Sequence, residues 1–312
     1  MRRILLGLLV LTLVSVVVFA ATPALPGDPA RSILGRTATP ASLKALRQQL
    51  NLDQPVLQQY WNWITGLLHG DMGTSLAAQE PVSSYLHDRH INSAFLVVVA
   101  GLISIPLSVA IGAYAALSRD RFFDVSSSIG TLLLAALPEF VVGVTLVVLF
   151  ATTVFKHTFP AVAYLAPGER PWNHLNEMIL PIVTLIIAVT PYVARIMRAS
   201  MIEVLQSDYV EMARLKGLPE SVVLRRHALP NALGPALQVI ALNLAYLAGG
   251  VILVEVVFNY PGIGAALVDA VANRDMPVVQ FLALLIAAVY VITNLLADIA
   301  TILVTPRLRT RL

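Results

Sequence analysis

Along most of this chain the apolar residues run in unbroken stretches instead of recurring at the spacing of a half-buried helix. Six stretches, near 4–21, 93–117, 125–154, 178–197, 235–257 and 278–304, are almost purely apolar. Crossing about 30 Å of hydrocarbon takes roughly 20 helical residues at 1.5 Å each, so each stretch is read as a transmembrane helix. The polar segment 23–91 interrupts them early and is as long as a small subdomain. Within it, Leu25-Pro26-Gly27-Asp28-Pro29 forms an entry turn rich in helix breakers. Leu43, Leu46 and Leu50 then lie at helical spacing with Lys44, Arg47 and Gln48 opposite, which predicts a short amphipathic helix over 41–50 started by Thr39-Pro40. Tyr60, Trp61 and Trp63 suit either a membrane interface or the core of this subdomain.

Composition supports a bilayer as the solvent. The chain is 57% hydrophobic and 12% charged, about half the charge of an ordinary soluble domain. Its mean hydropathy is +0.78. With no cysteine, neither a disulfide framework nor a thiolate metal site is available. The cations set orientation. With both termini cytoplasmic, the inner side carries Arg2, Arg3, Arg119, Arg121, Arg195, Arg198, Arg214, Lys216, Arg225, Arg226, Arg307, Arg309 and Arg311, which is 13 of the 21 Lys and Arg. The two short outer loops hold Lys156, Arg170 and Arg274, and the long 23–91 loop counts little in the positive-inside rule. The first span has a rival reading as a cleavable signal peptide, since Met1-Arg2-Arg3 precedes an apolar run ending near Ala20-Ala21. That run is longer than a usual signal core and Pro23 disfavours cleavage, so a retained span is expected.

The longest inner connection, 209–235, reads YVEMARLKGLPESVVLRRHALPNALGP. Helix is expected to continue from the fourth span through Lys216 and to stop at Gly217, the residue that best tolerates a left-handed turn. Pro219 fits the first turn of a new helix, Glu220 complements its positive end, and Arg225, Arg226 and His227 its negative end. Leu229-Pro230 is expected to close it. The result is a stiff piece of about nine residues at the membrane surface, suited to passing force between proteins; an ordinary hairpin loop is the plainer alternative.

Glu211-Met212-Ala213, three residues, Gly217, nine residues, His227, one residue, Leu229-Pro230 resembles the EAA loop of ABC importer permeases in spacing throughout. Met212 stands where that motif has its first Ala, and His227 where Ile is usual. The resemblance extends to Leu25–Pro29, to 51–75 (NLDQPVLQQYWNWITGLLHGDMGTS), to Tyr192-Val193-Ala194-Arg195 leading to Asp208-Tyr209-Val210, and to 255–264 (EVVFNYPGIG). Over nearly its whole length the chain is similar to the first permease subunit of the dipeptide, oligopeptide and nickel transporter family. That resemblance implies an all-α integral membrane protein of six transmembrane helices in the type I ABC importer architecture. It divides into a first span over 1–24, a small external subdomain over 25–91, and a five-helix core over 92–312 carrying the coupling loop over 200–234. It implies a role in importing di- or oligopeptides, with nickel chelate or glutathione as alternative cargo. It also implies a bacterial plasma (inner) membrane, a second homologous permease, two cytoplasmic ATPases and an external substrate-binding protein. Membrane lipid is a further partner, and nucleic acid is not. By the same resemblance Glu211, Ala213 and Gly217, with Leu218, Pro219, Glu220 and Arg225, belong to the element that docks on an ATPase, while Leu229 and Pro230 fix its return to the membrane.

No Gly-x-x-x-x-Gly-Lys-Ser/Thr occurs, so the chain lacks the phosphate cradle of a P-loop ATPase. It is therefore expected not to be an enzyme itself and to hold no cofactor, with ATP and Mg bound by partner subunits. His87-Asp88-Arg89-His90 reads as a solvated loop more readily than as a metal cluster. Ionisable residues inside spans are costly and mark candidate function. Glu139, beside Pro138, is a candidate for lining a solute path and meeting a substrate ammonium, or for pairing within the bundle. Tyr290, Asn294 and Asp298 form one stripe at i, i+4 and i+8, and Asn243 and Tyr246 interrupt the fifth span. Interhelical hydrogen bonding is the plainer role for these. Glu255 leads into a tight turn at Asn259-Tyr260-Pro261-Gly262, placed by the resemblance near an external gate. Glu139, Asn243, Tyr246, Glu255, Tyr260 and Asn294 are thus the candidate pathway or gate residues. An ion-coupled secondary transporter using Glu139 and Asp298 is the reading from another class, but no second copy of the 209–235 loop supports paired halves.

Overall fold

The computed structural model describes residues 2–24, 39–49, 53–152, 154 and 157–304. Its elements are helical: α1 (Arg2–Ala24), α2 (Pro40–Gln49), α3 (Val56–Leu68), α4 (Val82–Leu117), α5 (Phe122–Ala136), α6 (Glu139–Phe150), α7 (Leu175–Leu205), α8 (Asp208–Leu215), α9 (Leu229–Val257), α10 (Ile263–Asn273) and α11 (Met276–Val304). Among the described residues α1, α4, α7 and α11 contain stretches long and apolar enough to cross a membrane, and α5 with α6 make one bent candidate. At 29 residues, α9 has the length to do the same. The expected entry turn at 25–29, Leu50 and the cations at Lys156, Arg307, Arg309 and Arg311 lie outside the described residues, as do the side chains of Leu46 and Asp298.

The expectations change at three places. The second span is part of a 36-residue helix that starts at Val82, so His87–His90 are helical and not a loop. There His90 Nδ1 meets the Leu86 carbonyl at 2.5 Å, its ring lies edge-on to Phe281, and Arg89 stacks 4.7 Å over Tyr85. The third stretch is not one straight helix. It bends by 105° between α5 and α6, at Leu137-Pro138. Pro138 has no N–H to give the Leu134 carbonyl, which accepts from Leu137 N instead, at 3.2 Å. Beyond the Tyr260-Pro261-Gly262 turn the chain forms an additional helix, α10.

The chain divides into two compact units, Met1–Ser93 with Pro261–Val291, and Ala94–Tyr260 with Ile292–Leu312. In the first, α3 lies on α1: Phe19 stacks on Trp63 at 5.6 Å and meets Tyr60 edge-on, while Ser15 and the Tyr60 hydroxyl hydrogen-bond at 2.8 Å. Tyr60 and Trp63 therefore pack within the fold, whereas Trp61 is exposed. After Gly73, whose φ of 81° requires a left-handed turn, Thr74 bridges Pro81. Asp275, buried ahead of α11, anchors this loop. Its carboxylate accepts from the Ser75 hydroxyl and from Leu76 N and Ala77 N at 3.0 and 3.2 Å. Val82, Leu86, Ala266, Ala270, Val278 and Leu282 form the apolar core around it.

In the second unit α7 is the axis, carrying buried Met178, Leu185, Val189, Val193 and Met197. Asp124, buried at the start of α5, accepts both Nε and Nη2 of Arg198 on α7 and also the Asp120 N–H at 3.0 Å. This places Arg198, counted above as an orientation charge, in a pair whose energy depends on neither partner being left alone. Ser200 donates to the Ala232 carbonyl at 2.9 Å, tying α7 to α9. Gly112 is where α4 crosses α7. A Cβ there would overlap the Ala194 carbonyl and come within 2.7 Å of the Met197 Cβ.

Gly112→Ala is therefore expected to destabilise the protein by about 1–3 kcal/mol, the usual range for overpacking. Gly130→Ala, with nothing within 4 Å of the added carbon, is expected to stabilise α5 by about 0.5–1 kcal/mol. Thermal unfolding of the two variants in detergent should shift in opposite directions.

Candidate functional site: a braced hairpin and a pocket at a helix break

The connection from α7 to α9 is a hairpin whose geometry follows from a few residues. Helix does not continue through Lys216 from the fourth span. It stops at Leu205, and Ser207 is extended at φ −80°, ψ 147°, with its hydroxyl turned back to the Val204 carbonyl. Serine competes for backbone hydrogen bonds in this way, which makes it a natural break. A separate helix α8 follows, with Asp208 and Glu211 in its first turn and Arg214 in its last, as its dipole favours.

Gly217 ends α8 as expected. At φ 76° it is left-handed, its N–H reaches the Arg214 carbonyl at 2.9 Å, and Leu218 N reaches the Ala213 carbonyl at 3.4 Å. This pair of bonds is the Schellman arrangement, which favours glycine at the left-handed position. Pro219 stands just before the next helical turn, one position earlier than expected. Across the glycine, Arg214 makes a two-pronged contact with Glu220 at 3.1 and 2.7 Å. That contact holds the Glu220 carboxyl below its ordinary range, chiefly through the hydrogen bonds. Val210, Ala213 and Val223 close a small core under the turn. Ala213 is thus part of the hairpin's own packing, while Glu211, Leu218, Pro219, Glu220 and Arg225 are exposed.

Leu229-Pro230 does not stop the helix. After Glu220–Val222 the chain winds as a π-helix over Val223–Ala228 and passes directly into α9, with Leu229 helical at φ −58°, ψ −46°. Proline clashes with the carbonyl four residues back in an α-helix, here Arg226. The wider π turn just before it offers the room, so Pro230 sits in the first turn of α9. The hairpin therefore has a fixed return arm. Its sequence reading also missed Tyr209, Met212 and Leu215, which with Leu218 are exposed apolar residues along the hairpin. Their three-residue spacing was a visible signal.

The second feature is a pocket of about 250 Å³ at the α5–α6 break, lined by Leu134–Glu139, Ala188, Tyr192 and Tyr246. Of the candidate pathway residues, the structure brings Glu139 and Tyr246 together. Glu139 is 8% exposed and accepts the Tyr246 hydroxyl. Tyr192, not singled out by its chemistry in the sequence, donates to the Ala135 carbonyl at 3.3 Å, a group exposed by the break. Asn243 is elsewhere engaged, its amide on the Val239 carbonyl of its own helix at 2.8 Å. Glu255 and Tyr260 are fully buried, with Tyr260 N on the Glu255 carbonyl at 2.8 Å. Asn294 is half-buried and Tyr290 exposed on α11.

Among the described residues, several membrane-length apolar helices and such a hairpin make up a helical integral membrane protein. The chain belongs to the family described as the binding-protein-dependent transport system inner membrane component, whose model matches residues 108–310. The N-terminal model of the same transport system matches residues 1–96. It is 37% identical over 311 residues to the probable peptide ABC transporter permease protein y4tP of Sinorhizobium fredii, covering 99% of this chain and 98% of that one. It is 39% identical over 309 residues to the glutathione transport system permease protein GsiC of Pectobacterium atrosepticum, covering 98% and 97%. A putative peptide transport system permease protein of Brucella abortus is 35% identical over 309 residues, covering 99% and 98%. The chain is accordingly a multi-pass membrane permease of an ABC importer.

The Arg214–Glu220 brace carries a pH signature. Because the folded Glu220 pKa is lowered, its contribution is present above the ordinary glutamate value of about 4.3 and is lost as pH falls through the lower folded value. Both side chains are about half exposed, so the contribution is under about 1 kcal/mol. Amide exchange over 208–228 should be faster in Glu220→Gln than in the unsubstituted protein at pH 7, and the difference should vanish in acid.

Proposed function

We propose that this chain, with a second homologous permease, forms the path for di- or oligopeptides across a bacterial inner membrane, both termini facing the cytoplasm. Two cytoplasmic ATPase subunits, which bind ATP and Mg, take up the hairpin, and an external binding protein delivers solute on the other side over the 25–91 segment. The observation that carries this reading is the hairpin: α8, a left-handed Gly217 and a π-wound return form a braced knuckle with exposed apolar residues, rigid enough to transmit a displacement. Glu211, Gly217, Leu218, Pro219, Glu220 and Arg225 make up its docking side, Ala213 its support, and Leu229 and Pro230 its return into α9. Peptide cargo is favoured by the relatives named for peptide transport, and glutathione, itself a peptide, by those named GsiC.

Gly217 separates coupling from folding. No atom lies within 4 Å of a Cβ at this position, so a substitution there meets backbone strain and not crowding. Asparagine tolerates the left-handed region and a β-branched residue does not. The complex with its ATPases and binding protein, reconstituted in liposomes, should show ATP-dependent uptake of a labelled tripeptide. Gly217→Val should abolish uptake and stimulated ATP hydrolysis, whereas Gly217→Asn should retain at least half of both. Full activity in Gly217→Val would overturn the coupling assignment. Uptake by the chain alone on an ion gradient would overturn the importer reading.

A further inference from the structure

The pocket at the α5–α6 break contains a charge for which force transmission has no use. Glu139 is the first residue of α6 and is buried beside the break. The Tyr246 hydroxyl donates to its carboxylate. Leu134, Leu137, Pro138 and three alanines share the lining with Glu139 and two tyrosines. Among the described residues no Lys, Arg or His forms an ion pair with Glu139. A carboxylate withdrawn from water and left without a cation is expensive, and such residues within membrane segments mark solute or ion paths.

Two tyrosines complete the lining. Tyr192 and Tyr246 are each nearly half exposed, Tyr192 at 45% and Tyr246 at 47%. Their rings offer faces that attract an organic cation. A pocket of about 250 Å³ is smaller than a drug-sized site, so it suits the end of a solute and not the whole of it. A divalent metal would need several oxygen or nitrogen ligands. The described residues contain no group of three or more His, Cys, Asp or Glu placed to hold one.

We propose that this pocket receives the α-ammonium group of an amino-acid-derived solute in transit, with Glu139 as its counter-charge and Tyr192 and Tyr246 as its aromatic walls. The inference rests on the importer reading and adds to it the feature of the cargo that the permease itself senses. It assigns to the permease a preference that acts after delivery: solutes with a free amino terminus pass, and capped ones are retarded.

The test uses the reconstituted complex and two pairs of labelled solutes, trialanine with N-acetyltrialanine and glutathione with N-acetylglutathione. The preference for the free over the acetylated form is compared between unsubstituted and variant complexes, so that the binding protein's own selectivity cancels. Glu139→Gln keeps an acceptor for Tyr246 and removes only the charge. It should lower the preference about tenfold, the worth of one charged hydrogen bond, and Glu139→Asp should retain most of it. Tyr192→Leu should lower it about threefold by removing one ring face, whereas Tyr192→Phe, which keeps the ring and loses only the bond to the Ala135 carbonyl, should leave it unchanged. Variants that slow both forms of a pair equally, leaving the preference intact, would overturn the proposal, because a structural role alone does that. So would an unsubstituted complex that imports either solute with no preference. Absence of ATP-dependent uptake for all four solutes would instead count against the importer reading.

Discussion

A backbone peptide group in hydrocarbon must find its hydrogen bond within the protein, and this requirement organises the whole chain. It explains why the membrane-length segments are helices, and why interruptions are confined to places where other groups stand in. The α5–α6 break illustrates the cost and its answer. Pro138 removes a donor, Leu137 N turns to the Leu134 carbonyl, and the Tyr192 hydroxyl takes the Ala135 carbonyl. The break so satisfied lines a pocket that also holds the Glu139 carboxyl.

The same requirement shapes the hairpin. Between α7 and α9 the chain leaves the apolar segments, yet its polar groups remain paired: Ser207 on Val204, Leu218 on Ala213, and the π turn merging into α9 without a gap. The return arm is continuous helix with α9, which also carries Tyr246 in the pocket wall. Hairpin and pocket thus share one helix, and α7 lies beside it, tied by Ser200 to α9 and by the Asp124–Arg198 pair to α5.

How much of this was legible in the sequence depended on how local each cause is. The apolar runs defined the membrane-length segments because twenty apolar residues admit few other readings. Gly217 and its Schellman turn were legible because a left-handed stop is dictated by one residue. The 105° bend at Pro138 was not, since Pro106, Pro181, Pro191 and Pro235 all lie inside continuous helices. What differs at Pro138 is Glu139 behind it, able to begin a new helix, and Tyr192 and Tyr246 arriving from elsewhere in the chain. Pro230 misled in the opposite direction, because a π turn is not encoded by any single residue. Asp124 with Arg198, Asp275 with the Ser75 loop, and Gly112 under Ala194 are all pairings across long sequence separations, beyond what spacing can reveal. Glu255 and Tyr260, which the resemblance places near an outer gate, are fully buried, a burial that sequence spacing does not reveal.

If the pocket at the break lies on the proposed solute path, its exposure should change as the proposed ATPases turn over, and the chain's lack of cysteine makes labelling of that pocket clean. Single cysteines at Ala135 and Ala188 in the pocket wall, and at exposed Ile129 on α5, would be reacted in the assembled complex with a membrane-impermeant thiol reagent, with and without ATP. Labelling at Ala135 and Ala188 should change with ATP, and Ile129 should stay unlabelled. Unreactive pocket positions in both states, or labelling at Ile129 equal to theirs, would contradict a place for the pocket on that path.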